Sequence, residues 1–265
     1  MFTLDLSSTT VAITGGSSGI GLATAALFLK SGAAVAICGR NEARLREAEA
    51  VLRRDHPGAR LLTVAADVLD AAQMQAFAAA VVQTFGGADV LVNNAGEGRV
   101  STFADTPDEA WSHELNLKFF SLIRPTRAFL PLLEKSAKAA IVCVNSLLAL
   151  QPEPHMVATS AARAGAQNLV RSMATEFAPQ GVRVNAILIG IVESGQWRRR
   201  FDARADRSLT WEQWTGELAV NKGIPLGRFG RPEEAAQAIL FLATPMSSYT
   251  TGTRIDISGG NSRHI

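Results

Sequence analysis

Short runs of apolar residues alternate along this chain with longer stretches in which apolar positions recur at helical spacing. Residues 10–13, 33–38, 60–66, 88–92, 139–144, 182–188 and 254–257 are runs rich in Val, Ile, Ala and Leu, short enough for strands buried on both faces. Between them, residues 22–30, 41–54, 70–85, 107–130, 155–177 and 231–242 carry helical periodicity. Asn41 and Asp70 stand where N-caps belong, and Thr106-Pro107-Asp108-Glu109 has the form of a capping box with proline at the first helical position. Strictly alternating strands and helices predict right-handed crossovers. The expected fold class is α/β, a Rossmann-type doubly wound parallel sheet of about seven strands with helices on both faces.

The pattern breaks once. Residues 190–230 form a long connection between the sixth strand and the last helix, and connections of that length inside a compact domain are usually functional. Trp197, Trp211, Trp214 and Phe201 lie there with Arg198, Arg199, Arg200, Arg204 and Arg207. No composition shift, repeat or linker divides the 265 residues, so residues 1–265 are expected to form one domain with 190–230 as an insertion.

Composition narrows the function classes. A net charge of +2 leaves no concentrated basic footprint for nucleic acid. Polar residues such as Asn145 and Ser146 break the apolar runs before they reach membrane-spanning length. Met1-Phe2-Thr3-Leu4-Asp5-Leu6 lacks the basic and apolar regions of an export signal, and Cys38 and Cys143 sit in strand-like runs as small core residues. The expectation is a cytoplasmic protein with no nucleic-acid, membrane or metal partner.

The stretch that carries chemistry is Thr14-Gly15-Gly16-Ser17-Ser18-Gly19-Ile20-Gly21, between the first strand and the first helix. A glycine-rich turn that delivers the chain into a helix N-terminus points backbone N–H groups and the positive end of the helix dipole at an anion. Gly15 allows the tight turn, Gly19 allows a phosphate to approach the backbone, and Gly21 lets the helix pack on the strand. That arrangement predicts a dinucleotide site.

The spacing Gly-x3-Gly-x-Gly, with Asn93-Asn94-Ala95-Gly96, Asn116, Ser146, Val182-Arg183-Val184-Asn185, Thr251-Gly252 and Asp256 to Gly260, resembles the short-chain dehydrogenase/reductase family along almost the whole chain. Within the family, the resemblance is to the β-ketoacyl-carrier-protein-reductase-like branch. It implies a homodimer or homotetramer built through two long helices, here 107–130 and 155–177. It also implies that 190–230 is a helical lid over a small-molecule substrate. Aromatic surface beside arginines would suit an apolar substrate carrying an acidic group, although amphipathic packing alone would give the same pattern.

Cofactor choice is read at the end of the second strand, where an NAD-binding unit places a carboxylate against the ribose hydroxyls. Gly39 occupies that place and Arg40 follows, so a 2′-phosphate meets a guanidinium instead of a repelling charge, and NADP(H) is expected over NAD(H). The resemblance implies contacts from Thr14, Gly15, Ser17, Ser18, Gly19, Ile20, Gly21, Asp67, Val68, Asn93, Ala95, Gly96 and Arg163 as well. Asp67 would meet the adenine amine, with capping of a turn as its competing role, and Asn93 would lie beside the adenine ring.

The resemblance fails at the reacting centre. The family tetrad is Asn, Ser, Tyr and Lys; Asn116 and Ser146 match the first two, while Thr159 stands at the Tyr position and Arg163 at the Lys position. The chain's one tyrosine, Tyr249, lies elsewhere. An aliphatic hydroxyl has no accessible pKa, so Thr159 is not a general acid, and Arg163 keeps a cation without carrying protons. His155, one helical turn before Thr159, is the nearby group that titrates near neutrality, although a solvated loop histidine is the plainer reading. Three functions follow: an NADP(H)-dependent oxidoreductase acting on a carbonyl, hydroxyl or enoyl group with altered proton delivery, a cofactor-binding sensor or partner subunit without turnover, or non-redox chemistry on the same scaffold.

Overall fold

A computed structural model describes residues 4–264; Met1–Thr3, part of the stretch read for an export signal, and Ile265 lie outside it. Seven parallel strands stand in the order β3-β2-β1-β4-β5-β6-β7, with β1 Thr10–Thr14, β2 Ala34–Gly39, β3 Leu61–Ala65, β4 Val90–Asn93, β5 Ala140–Ser146, β6 Arg183–Ile189 and β7 Arg254–Ile257. The helices are α1 Gly19–Lys30, α2 Glu42–Asp55, α3 Ala71–Phe85, α4 Asp108–Leu133, α5 Val157–Phe177, α6 Gly195–Asp202, α7 Trp211–Asn221 and α8 Pro232–Ala243.

Each strand divides its side chains between two cores. Val11 and Ile13 of β1 join Val35, Ile37, Val90 and Val92 beneath α1, α2 and α8, around the fully buried Phe28. Ala12, Ala36, Leu91, Ile141 and Cys143 face the other way, into α3, α4 and α5 around Phe77 and Phe129. This period-two division explains why the strands read as continuous apolar runs: both faces are covered. Burial pushes the Cys38 and Cys143 thiols up to about 12, so both behave as inert core residues.

The strand order reverses between β1 and β4, and both strands end at the same edge of the sheet. Ligands of doubly wound sheets bind in the crevice at that reversal. The glycine turn follows β1 there, and Asn93-Asn94-Ala95-Gly96 follows β4.

Asn41 and Asp70 cap α2 and α3 as expected, accepting from the Arg44 N–H at 2.9 Å and from the Ala72 and Gln73 N–H groups at 2.8 and 3.0 Å. The expected capping box before α4 does not form. Pro107 is itself the extended N-cap residue, and the Thr106 hydroxyl turns to Ser101 Oγ at 2.8 Å and to the Thr102 carbonyl. That bond fixes the β4–α4 loop instead of the helix end. Helix α4 also runs on through Pro125 and Pro131, past the expected end at 130. Replacing Asn41 by Ala removes the cap that starts α2 directly after Arg40. The expected loss is about 1 kcal/mol, read as a lower urea midpoint at unchanged slope.

Candidate active site

The glycine turn has the geometry an anion needs. Ser18 is the extended N-cap residue of α1 and uses no side-chain cap bond, and the first turn of the helix has no acidic residue. Gly19 sits at φ +52° with nothing within 4 Å of where a Cβ would be, so the approach to its backbone is open. At Gly21 a Cβ would lie 2.3 Å from the Gly15 carbonyl oxygen, which is why strand and helix can close here only over a glycine. A dinucleotide fits this cradle: free N–H groups at a helix N-terminus face open space with no competing carboxylate.

Two residues assigned to the cofactor from the sequence use their side chains to brace the cradle. Thr14 is fully buried, and its hydroxyl accepts from the Asn94 and Ala95 N–H groups at 3.0 and 3.1 Å while donating to the Val92 carbonyl at 3.4 Å. The Asn94 amide donates to the carbonyls of both Thr14 and Gly15 at 3.0 Å. Asn93 is buried under the sheet with its amide donating to Thr126 Oγ1 at 3.1 Å, which leaves its side chain no exposed atom to set beside an adenine. The side chains of both thus shape the crevice, and Asn94 joins them.

At the other end of the crevice, Gly39 closes β2, and a Cβ there would come within 3.3 Å of Ser17 Oγ. Arg40 is exposed and its side chain makes no hydrogen bond or ion pair among the described residues. Asp67 uses one carboxylate oxygen to accept from the Leu69 N–H at 2.8 Å, the turn-capping role, and keeps the other free. Val68 beside it is buried.

The reacting end gathers residues from β5, α4 and α5. Ser146 ends β5 at the crevice; its oxygen accepts from the Leu148 N–H at 3.3 Å and its hydroxyl donates to no group among the described residues. Thr159 is 1 % exposed and committed: it accepts from the Arg99 N–H at 3.0 Å and lies 2.5 Å from Glu114 Oε2, its proton shared between that carboxylate and the Arg99 carbonyl. Arg163 donates to Asn145 Oδ1 at 3.3 Å and the Val144 carbonyl at 3.4 Å, reaches within 4.0 Å of the Gly96 position, and leaves its enclosed Nε unpartnered. Burial lowers its guanidinium to about 10 and Glu114 opposes that shift, so it stays charged at neutral pH.

Asn116 does not join this cluster. It is half-buried and its side chain makes no hydrogen bond among the described residues. The groups that do face Thr159 and Arg163 from α4 are Glu114 and Lys118, which sequence reasoning missed. They pair at 3.0 Å with side chains 2 % and 4 % exposed. The signal was present: positions 114 and 118 fall on the stripe of Ala110, Leu117, Ser121 and Leu122 that α4 buries, so two charges were bound to enter the interior. His155 is half-exposed before α5, with Nδ1 3.8 Å from Glu153, as the plainer reading had it.

The insertion folds as α6 and α7. Trp197, Phe201, Trp211, Trp214 and Phe229 pack against one another in edge-to-face and tilted pairs, and Arg198 and Arg204 each stack 3.8 Å from a ring centroid of the same group, with Arg200 at 4.7 Å from Trp197. Three of the five arginines are thus engaged within the insertion itself. Arg199 and Arg207 stay exposed.

Residues 15–262 match the family profile described as enoyl-(acyl carrier protein) reductase. A 3-oxoacyl-[acyl-carrier-protein] reductase of Thermotoga maritima is 34 % identical over 252 residues, covering 94 % of this chain and 95 % of its own. A solved short-chain oxidoreductase of Pseudomonas aeruginosa, described as containing an atypical catalytic centre, is 70 % identical with TM-score 0.97 over 98 % of this chain and 100 % of its own. Its NADPH-bound form superposes with TM-score 0.95 at 68 % identity over 98 % and 99 % of the two chains. L-Sorbose reductase of Gluconobacter frateurii, solved with NADPH and L-sorbose, is 31 % identical with TM-score 0.93 over the full length of both. With the glycine cradle, the strand order and these likenesses together, the chain belongs to the short-chain dehydrogenase/reductase family and is an NAD(P)-dependent oxidoreductase.

Proposed function

We propose that the protein is a reductase that uses NADP(H) in preference to NAD(H) and acts on a carbonyl or enoyl group, or on the corresponding hydroxyl in reverse, with Ser146 polarising the substrate oxygen. The observation that carries the cofactor reading is the uncommitted Arg40 guanidinium beside Gly39, where a carboxylate would otherwise repel a 2′-phosphate. The structures of the Pseudomonas and Gluconobacter proteins with NADPH support it. The pyrophosphate is assigned to the N–H groups of the turn, among Gly15, Ser17, Ser18, Gly19, Ile20 and Gly21. The free Asp67 oxygen is assigned to the adenine amine, with Val68 beside it. The backbone of Ala95 and Gly96, together with Arg163, is assigned to the nicotinamide end.

When bound, the dinucleotide supplies or takes the hydride. Ser146 holds the substrate oxygen with its free hydroxyl, and the buried Thr159 hydroxyl has no proton to spare for it. Asn116 keeps at most an indirect part through helix α4. The lid suits an apolar small molecule, with Arg199 and Arg207 as the cations left for an acidic group. Helices α4 and α5 are the expected seam of a homodimer or homotetramer, and the cytoplasm is the expected compartment.

Oxidation of NADPH with a panel of ketones, β-keto esters and enoyl thioesters tests the substrate class, and no turnover with any of them would overturn it.

Three variants check these assignments. Gly21→Ala pushes Gly15 out of place and should abolish the fluorescence change on NADPH binding. Arg40→Asp should weaken NADPH binding at least tenfold while leaving NADH binding unchanged or tighter; equal effects on both would remove Arg40 from the site. Ser146→Ala should lower kcat by roughly 10²-fold or more with NADPH affinity unchanged, on the scale of losing one preorganised donor.

A further inference from the structure

Resting on the oxidoreductase reading, we propose that Lys118, held in place by Glu114, delivers the proton that the family's tyrosine delivers elsewhere. One carboxylate oxygen, Glu114 Oε2, touches both Lys118 Nζ at 3.0 Å and Thr159 Oγ1 at 2.5 Å. The ammonium therefore lies one shared oxygen away from the side chain that replaces the tyrosine. It enters from α4, whereas the Arg99 backbone that also bonds the Thr159 hydroxyl belongs to the β4–α4 loop.

The charge balance of this pocket argues against a purely structural pair. Two cations, the buried Lys118 and the half-buried Arg163, meet one buried carboxylate, Glu114, with the exposed Glu97 beyond it, and the Arg163 Nε has no partner among the described residues. A buried set with an excess positive charge is costly unless something anionic develops beside it. In reduction that anion is the substrate oxygen. Burial, with the Arg163 charge, lowers the Lys118 ammonium from its usual range; Glu114 and then Glu97 raise it. A lysine so placed can release a proton that an exposed one would keep.

The step balances as follows. The carbonyl carbon takes the hydride of the reduced dinucleotide and is reduced, and the carbonyl π pair moves to the oxygen held by Ser146. That oxygen forms an O–H bond as one N–H bond of Lys118 breaks, leaving a neutral amine beside the Glu114 carboxylate. The amine regains its proton from solvent before the next turnover. Lys118 is the catalytic residue in this scheme and Glu114 a positioning residue.

The chain's five lysines, Lys30, Lys118, Lys135, Lys138 and Lys222, make a direct test practical. Lysine labelled with ¹³C at Cε is titrated by NMR in the full-length protein, free and with NADPH. One resonance, assigned by its absence in Lys118→Met, should titrate at clearly lower pH than the other four. Glu114→Gln should move that midpoint lower still and Glu114→Asp should restore it, a response that loss of packing does not produce. With NADPH and the probe 9,10-phenanthrenequinone, Lys118→Met should lower kcat by roughly 10²- to 10⁴-fold at unchanged NADPH affinity. The wild-type kcat should fall as the pH rises through the Lys118 midpoint. Lys118 titrating with the surface lysines overturns the proposal on the wild-type protein alone, even if the Met variant fails to fold; so does a Lys118→Met kcat within threefold of wild type. A shifted Lys118 midpoint without turnover of any carbonyl probe counts instead against the oxidoreductase reading.

Discussion

The crevice of this protein depends on one set of hydrogen bonds, those that tie the end of β1 to the end of β4. Where a doubly wound sheet reverses its strand order, two neighbouring strands send their chains to opposite faces and a gap opens between them. Left free, the two loops would carry unpaired backbone groups into a buried place. The Thr14 hydroxyl meets the N–H groups of Asn94 and Ala95, and the Asn94 amide returns two bonds to the carbonyls of Thr14 and Gly15. Each such bond contributes only about 1 kcal/mol net, but losing a buried partner costs more because its mate is stranded. The turn that faces a phosphate is rigid because it is braced from behind.

The same logic, applied to charge, organises the reacting end. Breaking a buried ion pair by removing one member costs about 3–5 kcal/mol, whereas replacing both members with apolar groups is often neutral. Stability alone therefore gives no reason to keep Glu114 and Lys118 on the packed face of α4. Their geometry does give one. Glu114 ties the ammonium to the Thr159 hydroxyl, and Thr159 in turn fixes the backbone at Arg99. A bond from the Ser101 N–H to the His155 carbonyl then continues the attachment of the β4–α4 loop to the start of α5. Thr159 has exchanged the reach of a phenol for a local structural task.

Strand positions, the caps of α2 and α3 and the glycine turn were legible in the sequence because each is set by local chemistry: apolar runs, a side chain that can cap, a backbone that only glycine can make. The capping box before α4 misled because Thr106 found better partners in its own loop, Ser101 and Thr102, which no helix-start pattern encodes. The inward turn of the Thr14 and Asn93 side chains is not legible in the sequence, since a motif fixes which residues surround a site and not which way each one turns. Glu114 and Lys118 flank the asparagine that the family pattern singles out, on a different face of α4. Two residues along an α-helix is about 200° of rotation, so Asn116 and Lys118 cannot serve the same face.

The insertion carries the same lesson about charge. Five arginines in a short stretch suggested an anionic substrate, yet Arg198, Arg200 and Arg204 lie over the rings of Phe201, Trp197, Trp211 and Trp214. Stacked guanidinium groups bury aromatic surface while keeping their charge near water, so they make α6 and α7 cohere as a unit where a short insertion would otherwise have little core. Charge in the insertion is thus matched to aromatic faces, whereas charge on α4 and α5 is matched to polar atoms, Lys118 to Glu114 and Arg163 to Asn145 and the Val144 carbonyl.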